Sequence, residues 1–253
     1  MLQKFASNRI HAALIHFLFS ALIASTIILA AILIWYPDQL LQATGAKKVF
    51  LIILLVDVCL GPFLTLIIFN KNKPELSRDI ITIFIIQIIA LIYGMYTVGV
   101  ARPVYITYAI DRFEVVHAPE INSKQLAQAS KKKYKKLPLL SPQWVTSLRP
   151  TNPKEREALL FGNTENGADL AQLPKYYDDY SKSIDTIIKT AQPLERLKSR
   201  NKDKAETVNA LLKKYPDTKK YGFIPLSARK QHLSVIIDLS TGYPVEMSLL
   251  QPW

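Results

Sequence analysis

VFLIILLVDVCLGPFLTLIIF, Val49 to Phe69, decides how this chain is read. Asp57 is the one charged residue among its 21, and the run lacks the polar face that a surface helix of a soluble domain keeps. At ~1.5 Å per residue such a run crosses a hydrocarbon core ~30 Å thick. Working outward, a second run of the same kind, IITIFIIQIIALIYGMYTVGV, lies at Ile80 to Val100, and a third precedes both, because 28 residues without a formal charge separate Arg9 from Asp38. The first span is read as Ala12 to Tyr36, closed by Trp35 and Tyr36 where an interfacial aromatic belt sits and stopped by Pro37. Its basic start imitates a secretory signal. The apolar run is, however, longer than the ~7 to 15 residues of a signal core, and no small-x-small cleavage site ends it, so it is read as a retained anchor.

The whole chain has 253 residues, 49% hydrophobic and 21% charged, which excludes a disordered, collagen-like or disulfide-dense protein. The charges are unevenly spread: seven basic and four acidic residues fall in the first hundred positions, 25 and 16 in the remaining 153. Two domains follow: residues 1–100, a membrane domain with spans at about 12–36, 49–69 and 80–100, and residues 101–253, an exported α+β domain. Cys59 is the only cysteine, so neither an intramolecular disulfide nor a multi-thiolate zinc site can form. With the N-terminus in the cytoplasm, Lys4, Arg9, Lys71, Lys73 and Arg78 lie inside, against Lys47, Lys48, Arg102 and Arg112 outside. This small excess favours that orientation and sends the C-terminal region across the membrane.

Within the spans, Asp57 stands near mid-membrane, where an ionised carboxylate costs roughly 2.5 to 3.5 kcal/mol on insertion scales. Gly61 and Thr65 follow it at helical spacing, and Pro62 removes a backbone bond and kinks the helix. Span three carries Gln87, Ala90, Gly94 and Thr97 on a comparable stripe, and span one His16, Ser20 and Ala24. Small residues on one face let helices approach closely in lipid. Two readings stay open. Asp57, Gln87 and His16 bind the three spans into a bundle, or Asp57, Gly61, Pro62, Thr65 and Gln87 form a docking face for the transmembrane helix of another protein. A proton or ion pathway is less in keeping with a single intramembrane carboxylate.

Beyond the spans, Ala101 to Ile121 is β-branched and aromatic and reads as a strand. From Asn122 the composition turns helical and basic, ending in KKKYKK with Lys131, Lys132, Lys133, Lys135 and Lys136. These lysines are read as a solvated face that can also touch anionic lipid headgroups. Nucleic-acid binding is set aside, since no recognition motif accompanies the charge. Helices are expected from the Asn152 cap through Phe161 to a stop at Gly162, over Pro174 to Thr190, from Pro193, and over Lys202 to Lys214, where Ala205, Val208, Leu211, Leu212 and Tyr215 make a core face. Tyr221 to Leu226, His232 to Leu239 and Tyr243 to Leu250 close the chain as a meander turning at Gly242, a small antiparallel sheet which the first strand joins.

No phosphate loop, nucleophile elbow or paired-histidine zinc helix is present, and the eight glycines are too few for a phosphate cradle. His11, His16, His117 and His232 are scattered. Asp178 and Asp179, in YYDDY, read as packing rather than as metal ligands. No catalytic residue, metal site or cofactor is therefore assigned.

Several stretches resemble the type IV pilin accessory protein family (TfpZ-type). They are DVCLGPFLTLIIF from Asp57, RPVYITYAIDRFEVVHAPEI from Arg102, LPLLSP from Leu137, LPKYYDDY from Leu173, PLERL from Pro193 and the closing VIIDLSTGYPVEMSLLQPW. They are collinear and span nearly the whole chain. The chain departs from the family pattern at Ser141, where the family has Gly, and in the lysine-rich segment 131–136. The resemblance implies a multi-pass protein of the bacterial inner membrane with a periplasmic domain. It also implies a non-enzymatic role in pilus biogenesis and twitching motility, with type IV pilin and inner-membrane pilus assembly machinery as partners beside membrane lipid. A membrane-bound transferase that modifies pilin is the alternative.

Overall fold

Asn8 opens the first span, its Oδ1 accepting the His11 N–H at 2.8 Å, and the uncharged run behind it forms one unbroken helix. A computed structural model describes residues 8–161 and 167–253; Lys4 of the orientation count and Gly162, the expected helix stop, lie outside the described residues. Three helices grow from the three apolar runs: α1 (Arg9–Trp35), α2 (Ala46–Ile68) and α3 (Leu76–Val100), of 27, 23 and 25 residues, each long and apolar enough to cross a membrane. Their outward side chains, among them Leu22, Ile52, Ile86 and Ile92, are exposed, as a lipid-facing surface requires. One seam is buried on each helix, and on α1 it is Ala12, His16, Ser20, Ala24, Ile28 and Ala31. On α3 the seam runs through Ile80, Ile83, Leu91 and Val98, whereas Thr97 lies exposed and bonds the Tyr93 carbonyl.

The chain divides into two units, Met1–Ile34 with Ala46–Val100, and Trp35–Gly45 with Ala101–Trp253. Residues 35–45, which join α1 to α2, thus group with the sheet: Lys230 N–H and Gln231 N–H both donate to the Ala43 carbonyl, at 2.9 and 3.1 Å.

The second unit is built on a mixed sheet. Its strands are β1 (Pro103–Ala109), β2 (Arg112–His117), β3 (Gln143–Ser147), β4 (Tyr177–Asp179), β5 (Gln192–Pro193), β6 (Tyr221–Ser227), β7 (Leu233–Asp238) and β8 (Pro244–Ser248). They lie in the order β4-β3-β1-β2-β6-β7-β8, with β5 on β6. The α+β fold and the closing meander are those expected, but the sheet is larger and not purely antiparallel, since β1 runs parallel to β3 and β2 parallel to β6. Every residue of β1 is buried, as befits a central strand covered on both faces. The single strand expected over Ala101 to Ile121 is instead a hairpin. It reverses at Ile110, held at φ 64°, a costly conformation for a β-branched residue. β3 has no counterpart in the sequence reading, because QWVTS is too short to show alternation.

Two helical expectations are corrected. After Asn122 only α4 (Ser123–Ala127) forms, closed by a reciprocal capping box in which Gln125 N–H reaches Asn122 Oδ1 at 2.8 Å and Asn122 N–H reaches Gln125 Oε1 at 2.7 Å. The lysine run adopts a single 3₁₀ turn, Lys132–Tyr134, because Tyr134 is drawn into the core. α5 (Pro153–Leu160) starts at its Asn152 cap as expected. Over 174–190 the α-helix is confined to α6 (Ile184–Thr190), with 3₁₀ turns at Pro174–Tyr176 and Tyr180–Ser183, because burial of Tyr177 and pairing with β3 make Tyr177–Asp179 a strand. α7 (Arg196–Arg200) and α8 (Ala205–Lys214) follow, and α8 turns Val208 and Leu211 onto Phe223, Ile236 and Leu250. A second core cluster gathers Tyr105, Tyr134 and Tyr177, whose rings meet edge to face at 5.0 to 6.2 Å.

Glu120 ties β2 to the connection between β6 and β7. Its Oε2 accepts the His117 N–H at 2.8 Å, and its Oε1 accepts Arg229 Nη2 at 2.6 Å and Nε at 3.1 Å. Burial opposes its charge, but the His117 ring and N–H and the Arg229 guanidinium outweigh this and hold the carboxyl at about 2, below its ordinary 4.5. A depressed carboxyl contributes stability above its unfolded value that is lost as the pH falls through its folded one. We therefore expect the sheet unit to lose up to about 3 kcal/mol between pH ~4.5 and ~2 from this group. In urea titrations followed by tryptophan fluorescence, Glu120→Gln should be less stable at neutral pH and flatter across that window.

Candidate functional site

A helix in lipid has no water to bond an orphaned carbonyl, so every interruption of its ladder must be met by a side chain. Pro62 creates such an interruption in α2. It has no N–H, and the turn before it, Val56–Leu60, widens to π spacing. In that spacing the Asp57 carbonyl would bond residue 62, which cannot donate. Gln87 of α3 supplies the missing donor, its Nε2 lying 2.6 Å from the Asp57 carbonyl oxygen.

With that amide orientation set, the rest of the network follows. Gln87 Oε1 accepts from His16 Nε2 at 2.7 Å, so the ring proton sits on Nε2, and His16 Nδ1 is left to accept from the Thr65 hydroxyl at 2.6 Å. Phe84 stacks on the imidazole at 4.5 Å. Ser20 Oγ stands 3.5 Å from Gln87 Nε2, at the limit of a hydrogen bond. One chain of bonds thus links all three helices: Thr65 on α2, His16 on α1, Gln87 on α3, and back to Asp57 on α2. Its closeness depends on Gly61, where a methyl group would stand 2.2 Å from Gln87 Nε2.

Of the residues singled out in the sequence, Asp57, Gly61, Pro62 and Thr65 are buried on one stripe of α2, and Gln87 meets them. His16, which the bundle reading counts among the residues that bind the spans, joins the other two helices, and its place on the Ala12, His16, Ser20, Ala24 seam is the sequence signal for it. Asp57 differs from the others. Its backbone is bonded, but neither oxygen of its 4% exposed carboxylate has a hydrogen-bond partner among the described residues. Two residues on, Cys59 is exposed, as are Leu60 and Phe63.

The lysine run and the YYDDY stretch, read separately in the sequence, come together. Lys131 Nζ lies 2.5 Å from Asp178 and 2.7 Å from Asp179, Lys133 also pairs with Asp179, and the Tyr134 hydroxyl donates to the Asp178 carbonyl at 3.0 Å. Hydrogen bonds from Lys131 and Lys133 hold the Asp179 carboxyl at about 2. Lys132, Lys135 and Lys136 are exposed and have no acidic partner among the described residues. Among the described residues no three His, Cys, Asp or Glu side chains are grouped so as to hold a metal ion.

The chain is 33% identical over 229 residues to a fimbrial assembly protein of serogroup I from Dichelobacter nodosus, an alignment covering 88% of each chain. A serogroup E1 fimbrial assembly protein of the same organism is 31% identical over an equal share of both chains. One assigned to serogroups C1 and C2 is 37% identical over 117 residues, 46% of this chain and 89% of that relative. No family model and no solved structure matches the chain.

Because Gly61 acts by admitting Gln87, substitutions at the two positions should not add. Gln87→Ala should destabilise the helix bundle by about 1 kcal/mol per bond lost, Gly61→Ala by a similar amount, and the double variant by little more than either. Unfolding by steric trapping in bicelles checks this. Additive losses would show that the close approach at Gly61 and the Gln87 bonds are independent.

Proposed function

Because this chain belongs to the fimbrial assembly protein family, we propose that it is a non-enzymatic accessory factor of type IV pilus biogenesis. In this reading it lies in the bacterial inner membrane with its N-terminus in the cytoplasm and its sheet unit in the periplasm, and it binds pilin so as to modulate assembly or pilus dynamics. The TfpZ-type resemblance and the names of the relatives support the process, and the three apolar helices support the membrane.

The observation that carries the binding role is Asp57. Side chains within a bundle normally find their partners within it, and here Thr65, His16 and Gln87 do so. An unpartnered carboxylate in a membrane-crossing segment marks a functional position, since it is costly unless a donor reaches it. We infer that the donor comes from a partner helix lying along the exposed face of Cys59, Leu60 and Phe63 and reaching Asp57 at the widened turn. Of the docking face read from the sequence, Gly61, Thr65 and Gln87 serve this indirectly, by holding the turn in shape.

Sheared surface pili from a strain lacking the chain, complemented with the parent sequence or with Asp57→Asn, test the proposal. Fewer pili are expected in the deletion and in the Asp57→Asn strain, with pilin mass unchanged in both and the Asp57→Asn chain at the parental level. Normal piliation with a shifted pilin mass would instead identify a pilin-modifying transferase.

A further inference from the structure

The strand directions assign the two ends of the sheet. Arg102 follows α3 and leads into β1, so the end at which β1 begins is the one that the chain enters from the membrane. β3 begins and β2 and β6 finish at this same end, by the parallel and antiparallel registers of β1, β2, β3 and β6. The connections 118–142 and 228–232 therefore gather there, and residues 217–220 lie at the far end. Trp35, the last residue of α1, belongs to this unit too and returns to the same end.

At that end lies Leu137–Pro142, the LPLLSP stretch. Its Leu139 and Leu140 are 77% and 68% exposed, far more than the core leucines around them. Irregular backbone resists an apolar phase because its polar groups lose water, but this stretch has part of that cost removed. Pro138 and Pro142 have no N–H to satisfy. The Pro138 carbonyl accepts Arg102 Nη2 at 2.7 Å, and the Leu139 carbonyl accepts Trp35 Nε1 at 3.0 Å. Both donors belong to residues at which the chain leaves a membrane helix. Immediately before the loop stand the exposed Lys135 and Lys136, with Lys132 one turn earlier, whereas Lys131 and Lys133 are taken up by Asp178 and Asp179.

We propose that Leu137–Pro142 is an interfacial anchor, with Leu139 and Leu140 inserted among the lipid headgroups and upper acyl chains, and with Lys132, Lys135 and Lys136 on anionic headgroups. The occupant is lipid rather than protein, because the loop is fastened to the two residues that mark the membrane boundary and because the basic fringe matches an anionic surface. The anchor would hold one end of the sheet unit at the bilayer, and it does not depend on the identity of any pilin partner.

Nitroxide labels on the full chain carrying Cys59→Ser, at Leu139→Cys, Leu140→Cys or Lys219→Cys, in nanodiscs of phosphatidylcholine with phosphatidylglycerol, test it. Oxygen collisions relative to collisions with a water-soluble nickel chelate should be several-fold more frequent at 139 and 140 than at 219. Equal ratios at all three sites would overturn the proposal and leave the exposed leucines to a protein partner. Both leucines are exposed, so the labels leave the fold intact, and the label at 219 reports the water value on the same protein.

Discussion

The chain of hydrogen bonds from Thr65 through His16 and Gln87 to the Asp57 carbonyl is the constraint on which the membrane unit rests. In water, three apolar helices would be driven together by burial. In lipid that force is absent, and association depends on close packing and on polar groups with nowhere else to go. Pro62 supplies the unmet carbonyl, Gly61 the room and Gln87 the donor. His16 carries the connection to α1. Each of the four is accounted for by the other three, and only the Asp57 carboxylate stands outside the arrangement.

The sheet unit solves a different problem, which is to build one body from residues far apart in sequence. The segment joining α1 to α2 is drawn in through the Ala43 carbonyl, and Glu120 links β2 to Arg229. The lysine run does not stand off as a charged face, because Tyr134 is buried and two of its neighbours are neutralised by Asp178 and Asp179. Within the run, the lysines left without an acidic partner among the described residues are Lys132, Lys135 and Lys136, in the stretch that leads into the exposed Leu139 and Leu140.

What the sequence discloses follows from the range over which each signal acts. The spans are legible because an apolar run of more than 20 residues with at most one charge is a local property. The α8 face and the closing meander are legible because 3.6- and 2-residue periods survive there. The hairpin at Ile110 is hidden, since its turn uses a β-branched residue in place of Gly or Asn. β3 and β4 are hidden because short strands are defined by their neighbours rather than by their own pattern. At the site, Asp57, Gly61, Pro62, Thr65 and Gln87 stand out as polar or small residues in apolar runs. The pairing of Gln87 with a backbone carbonyl does not, since it requires the register of two helices and the widened turn at Val56–Leu60.

The central claim is that Asp57 lacks a partner within its own bundle because another membrane helix brings one. Cys59, exposed two residues along, permits a direct test by oxidative cross-linking with copper phenanthroline in membranes containing pilin with single cysteines along its helix. The claim predicts adducts at pilin positions on one helical face, diminished by Asp57→Asn. No adduct at any pilin position, with the chain and pilin both at normal levels in the same membranes, would contradict it.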